Sequence, residues 1–167
     1  MRPTADYWIE KLQLTAHVEG GAFRETYRSA LKAPANVLPS AFNGKRNFST
    51  AIYFLLKAHQ FSAFHKISSD EMWHFYYGDP LLVYEILHNG QLITHRLGNN
   101  IAGEENFQCL IQAGSWFASQ VAPGGDYALT GCTVSPGFDF TDFELADRDQ
   151  LVELYPQHAA LIARLTG

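Results

Sequence analysis

Long apolar runs are absent from the sequence. No stretch approaches the roughly 18 consecutive apolar residues that a membrane-spanning helix requires. The first residues also lack the apolar segment and small-residue cleavage site of a signal peptide. We therefore expect a cytoplasmic protein with no membrane partner. Cysteine is scarce as well: only Cys109 and Cys132 are present, their spacing matches no metal or redox motif, and both are expected to be reduced thiols.

Charged residues are also scarce, and the negative net charge is unfavourable for binding nucleic acid. Charged residues make up 17% of the 167 residues, against roughly 25% in an average soluble domain. The formal net charge of -5 leaves no basic surplus to neutralise phosphates, so we expect no nucleic-acid partner. The G-x-S-x-G, H-E-x-x-H and P-loop motifs are missing too, which argues against the hydrolase and nucleotide-binding chemistries that they mark.

Apolar and aromatic residues are abundant, and their spacing predicts strands. They account for 47% and 14% of the chain, enough for the core of one domain over 1–167. The pair Asn89-Gly90 predicts a two-residue type I′ hairpin turn. Alternating or short apolar runs predict strands at 22–29, 48–56, 62–67, 72–77, 81–88, 91–97, 107–112, 116–122 and 127–135.

Helices are predicted only at the two ends of the chain. Thr4 is a suitable N-cap for a helix within 1–15, and Asp147 for helices within 144–167. The β-barrel core is then expected over 22–143. Many strands of regular spacing with hairpin turns predict an all-β sandwich or barrel. The pattern alone leaves jelly-roll, immunoglobulin-like and lipocalin-like forms open.

The segment 64–78, FHKISSDEMWHFYYG, carries the strongest functional signal. In the first cupin motif, two histidines separated by one residue precede a glutamate, and a glycine follows after six more residues. His65 and Glu71 stand at the first histidine and the glutamate of that motif. Ile67 stands where the second histidine belongs, and Phe117 where the second motif has its histidine. The two motifs are therefore present with two of their four expected metal ligands.

The whole chain resembles a narrower group, the small cupins of uncharacterised function sometimes labelled Cupin_5. This resemblance implies an all-β double-stranded β-helix, or jelly-roll (cupin) barrel, with a short N-terminal helix and C-terminal helices. It also implies a homodimer, because cupins of this size often pair through exposed sheet edges. The segments that carry the resemblance are 17–28, 51–56, 69–80 and 134–140.

The missing histidines bear on the cofactor. A cupin metal centre consists of three imidazoles and one carboxylate, and one imidazole with one carboxylate holds a divalent ion only weakly. We therefore predict no metal and no other cofactor. The resemblance instead implies a metal-free proton-transfer pair, with His65 as the base and Glu71 orienting it. The alternative is that His65 is a hydrogen-bonded core histidine and that Glu71 holds a loop in place.

Three aromatic residues follow Glu71 at every second position. Trp73, Phe75 and Tyr77 share its predicted strand face, so they are candidates for an aromatic wall beside a sugar or a base. Aromatic residues on strands also pack in cores, and that alternative stays open. His74 is a further candidate ligand contact, although strand alternation directs it to the face opposite Glu71 unless a bulge intervenes.

Arg24 and Arg28 are predicted to lie on one face of the strand at 22–29. A guanidinium forms paired hydrogen bonds to phosphate or carboxylate groups, so Arg24 is a candidate ligand contact together with Arg28. The alternative for both is a solvated face or an ion pair between subunits.

The sequence therefore predicts a cupin that binds a small polar organic molecule in its barrel cavity. The resemblance implies a carbohydrate-like or nucleotide-sugar-like ligand, an inference from fold analogy. The enzymatic hypothesis is a metal-independent isomerase or epimerase. Two alternatives remain: a non-catalytic small-molecule-binding module and a metal-dependent cupin oxygenase.

Overall fold

The computed structural model describes residues 2–167, and strands dominate it. Most agree with the predicted strands to within two or three residues at each end. Four are two-residue strands, of which the last lies in the segment predicted to be helical. Within the described residues the strands are β1 Thr15–Ala16, β2 Ala22–Arg28, β3 Lys32–Ala33, β4 Arg46–Asn47, β5 Thr50–Lys57, β6 Phe61–Lys66, β7 Asp70–Gly78, β8 Leu81–Ile86, β9 Leu92–Leu97, β10 Gln108–Ile111, β11 Trp116–Val121, β12 Tyr127–Ser135 and β13 Glu144–Leu145.

Two antiparallel sheets form the jelly roll. The larger has the order β1-β2-β5-β12-β7-β10 and the smaller the order β13-β6-β11-β8-β9. Apolar side chains from both sheets meet in the interior, where Trp73 of the larger sheet and Phe117 of the smaller are each 1% exposed. Burial of such a shared apolar face is what holds two sheets together. The predicted all-β jelly-roll fold is confirmed.

Short helices cover the outer faces of the sheets. The helix α1, Ala5–Leu12, packs on the larger sheet, and its first turn is capped by Thr4, whose Oγ1 accepts from the Tyr7 N–H at 3.2 Å. The helices α2, Arg148–Leu154, and α3, Ala159–Arg164, cover the smaller sheet. Within residues 2–167, no helix is long and apolar enough to cross a membrane.

The turn between β8 and β9 differs from the predicted type. A type I′ turn needs positive φ at both central residues, but among the described residues other than glycine only Gln13 and Glu104 have positive φ. Gly90 alone supplies it here, at φ 81°. The Leu87 N–H donates to the Gln91 carbonyl at 2.9 Å, so the loop is one residue longer than predicted.

Two β-bulges on the larger sheet change which face of the sheet the following side chains occupy. On β2 the register shifts between Glu25 and Tyr27, so Arg24 and Arg28 lie on opposite faces, and the prediction that they share one is wrong. On β7 the pairing with β12 shifts after Phe75. Tyr77 therefore leaves the face of Glu71 and packs outside the barrel. Strict alternation fails at both places because a bulge inserts one extra residue on one strand.

Candidate functional site

A cavity of about 320 Å³ opens inside one end of the barrel. This volume lies at the lower end of the range for small-molecule pockets. Ionisable residues lie in its interior, and aromatic and charged residues surround its mouth. The lining residues are His17, Glu19, Phe23, Glu25, Arg28, Ile52, His65, Ile67, Glu71, Val134, Phe138, Asp139 and Phe140.

The His65 ring is held through both of its nitrogens. Its Nδ1 lies 2.7 Å from the Ala63 carbonyl oxygen, which only accepts, so Nδ1 carries a proton. Its Nε2 lies 3.0 Å from Oε2 of Glu19. Burial alone would lower the pKa of His65, but the charge and hydrogen bond of Glu19 outweigh it and the pKa is raised. His65 is therefore an imidazolium that donates from both nitrogens.

The carboxylate that orients His65 is Glu19, not Glu71 as the sequence predicted. Oε1 of Glu19 accepts from the Ser62 hydroxyl at 2.9 Å, and its side chain is only 9% exposed. Burial would raise the pKa of Glu19, but His65 and Ser62 together lower it. Glu19 and His65 thus form a buried ion pair.

The turn between β1 and β2 brings Glu19 to His65. Gly20 has φ 111°, and any Cβ on it would collide with the Phe61 carbonyl of β6, so this turn needs glycine to lie against that strand. The Ala63 N–H of β6 donates to the Glu19 carbonyl at 2.8 Å. The sequence did not lead to an assignment of Glu19 to the site. The signal that could have indicated Glu19 is its spacing from His17, with a single residue, Val18, between them in the sequence.

Glu71 lies in the same cavity without a cationic partner in contact. Its side chain is 8% exposed, and no Lys, Arg or His nitrogen of the described residues forms an ion pair with it within 4.0 Å. Burial raises the pKa of Glu71 to about 7, against the opposing effects of the His65 charge and of a hydrogen bond with the Cys132 thiol. Near neutral pH this carboxyl group therefore exists in both protonation states.

His17 is the second imidazole of the cavity, and the sequence reasoning did not assign it. Its Nδ1 accepts from the backbone N–H of Glu19 at 3.2 Å. Its ring lies edge-on to Phe23, with centroids 4.6 Å apart. Burial lowers the pKa of His17, which favours the neutral ring.

The mouth of the cavity carries two carboxylates and one guanidinium. Arg28 donates from Nε and Nη2 to the two oxygens of Glu25 at 2.9 and 2.7 Å, and from Nη1 to the Phe138 carbonyl at 3.0 Å. Asp139 lies on the same rim. The cation at the mouth is thus already paired, and the rim offers no surplus positive charge to an anionic ligand.

The three aromatic residues predicted to form a ligand wall do not line this cavity. Trp73 lies in the core, with its ring 5.7 Å from that of Phe54, and Phe75 packs against the same core. Tyr77 contacts Trp8 of α1 on the outside of the sheet, with ring centroids 5.5 Å apart. Trp73 and Phe75 therefore pack in the core, as in the alternative interpretation. The bulge after Phe75 places Tyr77 on the outer face of the sheet.

Arg24 and His74 also lie outside the cavity, on the outer face of the larger sheet. The guanidinium of Arg24 stands 5.8 Å from the Tyr53 ring centroid. The Nε2 of His74 lies 3.0 Å from the Thr133 hydroxyl, and its Nδ1 lies 3.0 Å from the Gln108 amide nitrogen. No bulge precedes His74 on β7, so alternation points it away from Glu71.

The residues at the cupin ligand positions do not fit a metal centre. Ile67 lines the cavity without a donor atom, and the Phe117 ring packs on His65 with centroids 4.1 Å apart. Both nitrogens of His65 are already hydrogen-bonded. Within residues 2–167, no group of three or more His, Cys, Asp or Glu side chains is arranged to hold a metal ion.

The fold and the site together define a jelly-roll barrel protein with an ionisable interior cavity. Comparison with known sequences agrees: the profile described as Cupin superfamily (DUF985) matches residues 6–146, and the chain belongs to this family. A relative is the uncharacterized protein YML079W of Saccharomyces cerevisiae, which is 32% identical over 171 residues covering 94% of this chain and 83% of that protein.

Solved structures place the chain in the same fold. A hypothetical protein from Leishmania major is 37% identical, with a TM-score of 0.91 over 98% of this chain and 99% of that one. Protein SO0799 from Shewanella oneidensis is 41% identical, with a TM-score of 0.87 over 99% and 98%. Oxalate decarboxylase from Bacillus subtilis has a TM-score of 0.54 at 15% identity, over 91% of this chain and 36% of that one, which shows the fold alone.

Proposed function

We propose that the cavity binds a small, neutral, hydroxyl-rich organic molecule of the carbohydrate type and transfers a proton on it without a metal. The observation that carries the proposal is that Glu71, a carboxyl group with no cationic partner in contact, shares a cavity of about 320 Å³ with a fixed imidazolium, His65. A group that changes protonation near neutral pH, beside a fixed positive charge, suits general acid–base catalysis.

The geometry favours Glu71 rather than His65 as the proton-transferring group. His65 donates from both nitrogens, so it cannot accept a proton until its bond to Glu19 or to Ala63 breaks. Glu71 has a pKa of about 7 and accepts or releases a proton near neutral pH. A base is most effective when its pKa lies near the working pH. In this proposal His65 contributes positive charge, and Glu71 replaces it as the base.

The charges at the mouth favour a neutral ligand over its nucleoside diphosphate conjugate. A diphosphate needs cations, but Arg28 is paired with both oxygens of Glu25, and Asp139 adds a second carboxylate to the rim. The rings of Phe138 and Phe140, 4.9 Å apart, supply apolar surface for the faces of a sugar ring. A neutral carbohydrate with a carbonyl group combines the hydroxyls and the acidic C–H that this site suits.

Solvent isotope exchange tests the proposal. The protein is incubated in D₂O with a panel of neutral aldoses and ketoses, and loss of the proton next to the carbonyl is followed by NMR. Binding is measured in parallel by saturation-transfer NMR, with UDP-glucose as the anionic comparison. We expect exchange on at least one neutral sugar and weaker binding of UDP-glucose.

The control is the same substitution at two sites. Glu71→Gln should slow exchange by about 10²-fold or more, because general base catalysis contributes roughly that factor. Glu144→Gln changes a surface carboxylate that pairs with Lys66 outside the cavity, and should leave exchange unchanged. Saturable binding without exchange would identify a non-catalytic binding module. The proposal would be refuted if no sugar in the panel showed either binding or exchange.

A further inference from the structure

His17 has no role in the proton transfer described above, yet it lines the same cavity. It lies in the turn between β1 and β2, and its side chain is 9% exposed. The ring is clamped by aromatic neighbours: Phe23 and Phe54 both meet it edge-on, with interplanar angles of 86°. It is therefore a positioned side chain.

The backbone determines which nitrogen of His17 carries the proton. The amide N–H of Glu19 donates to Nδ1 at 3.2 Å, and an amide proton is permanent. Nδ1 is therefore an acceptor, and in the neutral ring the proton resides on Nε2. The nearest carboxylate oxygen, Oε2 of Glu19, lies 3.7 Å from Nδ1, beyond hydrogen-bond distance.

The proton on Nε2 has no acceptor in the protein. Among residues 2–167, no hydrogen bond involves His17 Nε2, although Nδ1 on the other edge of the ring is bonded to the turn. Nε2 is not among the fully buried side-chain atoms that lack a partner, so it is open to water or to a ligand in the cavity. The free edge of His17 is thus a hydrogen-bond donor available to a molecule in the cavity.

We propose that His17 Nε2–H donates to the carbonyl oxygen of a bound hydroxyaldehyde or hydroxyketone while Glu71 removes the adjacent carbon-bound proton. The inference rests on the proposed function and adds the electrophile and the substrate class. The C–H bond breaks and its proton passes to the Glu71 carboxylate; its electron pair forms a double bond to the carbonyl carbon, and the carbonyl π pair moves onto oxygen to give the enolate. Return of the proton from Glu71 to carbon completes a redox-neutral cycle.

Neutral His17 suits this role. A neutral imidazole N–H stabilises a developing enolate oxygen, because the hydrogen bond strengthens as negative charge develops on that oxygen. Two charged groups of the cavity act on the ring. Burial disfavours the charged form of His17 most strongly; Glu19 favours that form, and the imidazolium of His65 disfavours it.

The first test reads the tautomer in the intact protein. ¹⁵N-histidine labelling and long-range ¹H–¹⁵N correlation should show His17 as an Nε2–H tautomer at neutral pH, because burial lowers its pKa. Its signals are assigned by their loss in His17→Gln. A doubly protonated ring or an Nδ1–H tautomer at neutral pH would overturn the inference whatever the activity.

The second test separates this inference from the proposed function. His17→Leu removes the donor and should lower kcat for α-proton exchange about 10²-fold, with KM changed only a few-fold. His17→Gln keeps an N–H donor and should recover at least ten-fold of that loss. Exchange that persists undiminished in His17→Leu would refute the role of His17 and leave the proposed function standing. Absence of exchange and binding in the unmodified protein would refute both. If His17→Leu does not fold, the exchange rate of His17→Gln and the tautomer of His17 test the inference instead.

Discussion

Replacing the buried carboxyl group of Glu71, which has no cationic partner in contact, should stabilise the protein in alkaline solution. Glu71→Gln substitutes a neutral amide of nearly the same shape at a side chain that is 8% exposed. Burial raises the Glu71 pKa from its ordinary value of 4.5 to about 7. That interval corresponds to about 3 kcal/mol, at about 1.4 kcal/mol for each pKa unit. The ionised side chain lowers the free energy of unfolding by that amount.

The sign of the pH dependence follows from the direction of the pKa change. Because the folded-state pKa is raised, the folded protein holds the proton more tightly than the unfolded chain does. The stabilising contribution of Glu71 is complete below its unfolded pKa and is lost as the pH rises through about 7. The advantage of Glu71→Gln should therefore be small near pH 4.5, increase up to about pH 7 and level off above it.

Urea denaturation from about pH 4.5 to pH 8.5 measures this curve directly. A matched control is Glu85→Gln, since Glu85 is also buried, at 1% exposed. Glu85 accepts from His95 Nε2 and from the Gln112 N–H, both at 2.9 Å. An amide cannot accept at both positions, so this variant should lose about 1–3 kcal/mol. A Glu71→Gln variant no more stable than the parent at about pH 8 would show that the carboxyl group is not held in an unfavourable environment.

Three other results are expected. Glu19→Gln leaves His65 without its counter-charge and should reduce the free energy of unfolding by about 3–5 kcal/mol near pH 6. Because the pKa of His65 is raised, this loss, measured by urea denaturation, should shrink as the pH rises through that pKa. Elemental analysis of protein purified without chelators should give far less than one equivalent of Fe, Mn, Ni or Zn, and one full equivalent would contradict the donor set at Ile67 and Phe117. Analytical ultracentrifugation should give a homodimer, and a monomer would contradict the family-based expectation.

Local patterns were sufficient to predict the strands. The segment predicted at 127–135 is β12, Tyr127–Ser135, and that at 116–122 is β11, Trp116–Val121. Side-chain alternation and short apolar runs reflect the two faces of a strand, and both are visible in a single sequence. The cupin resemblance added the arrangement of these strands, which the structure and the family match confirm.

The faces of individual side chains were less predictable, because one extra residue reverses every position after it. The bulge after Glu25 placed Arg28, but not Arg24, at the cavity mouth. The bulge on β7 moved Tyr77 to the outside of the barrel. No residue in either segment marks the bulge locally, since its position depends on pairing with a distant strand.

The sequence by itself determined that the chain is rich in strands and that His65 and Glu71 stand at the cupin ligand positions, since periodicity and motif spacing are properties of neighbouring residues. Only the tertiary structure decided which acid meets His65. Glu19 reaches it because Gly20 allows the turn to lie against the Phe61 carbonyl of β6, a contact between segments far apart in the chain. The charge of each group in the cavity depends on that contact, and so does the chemistry open to it.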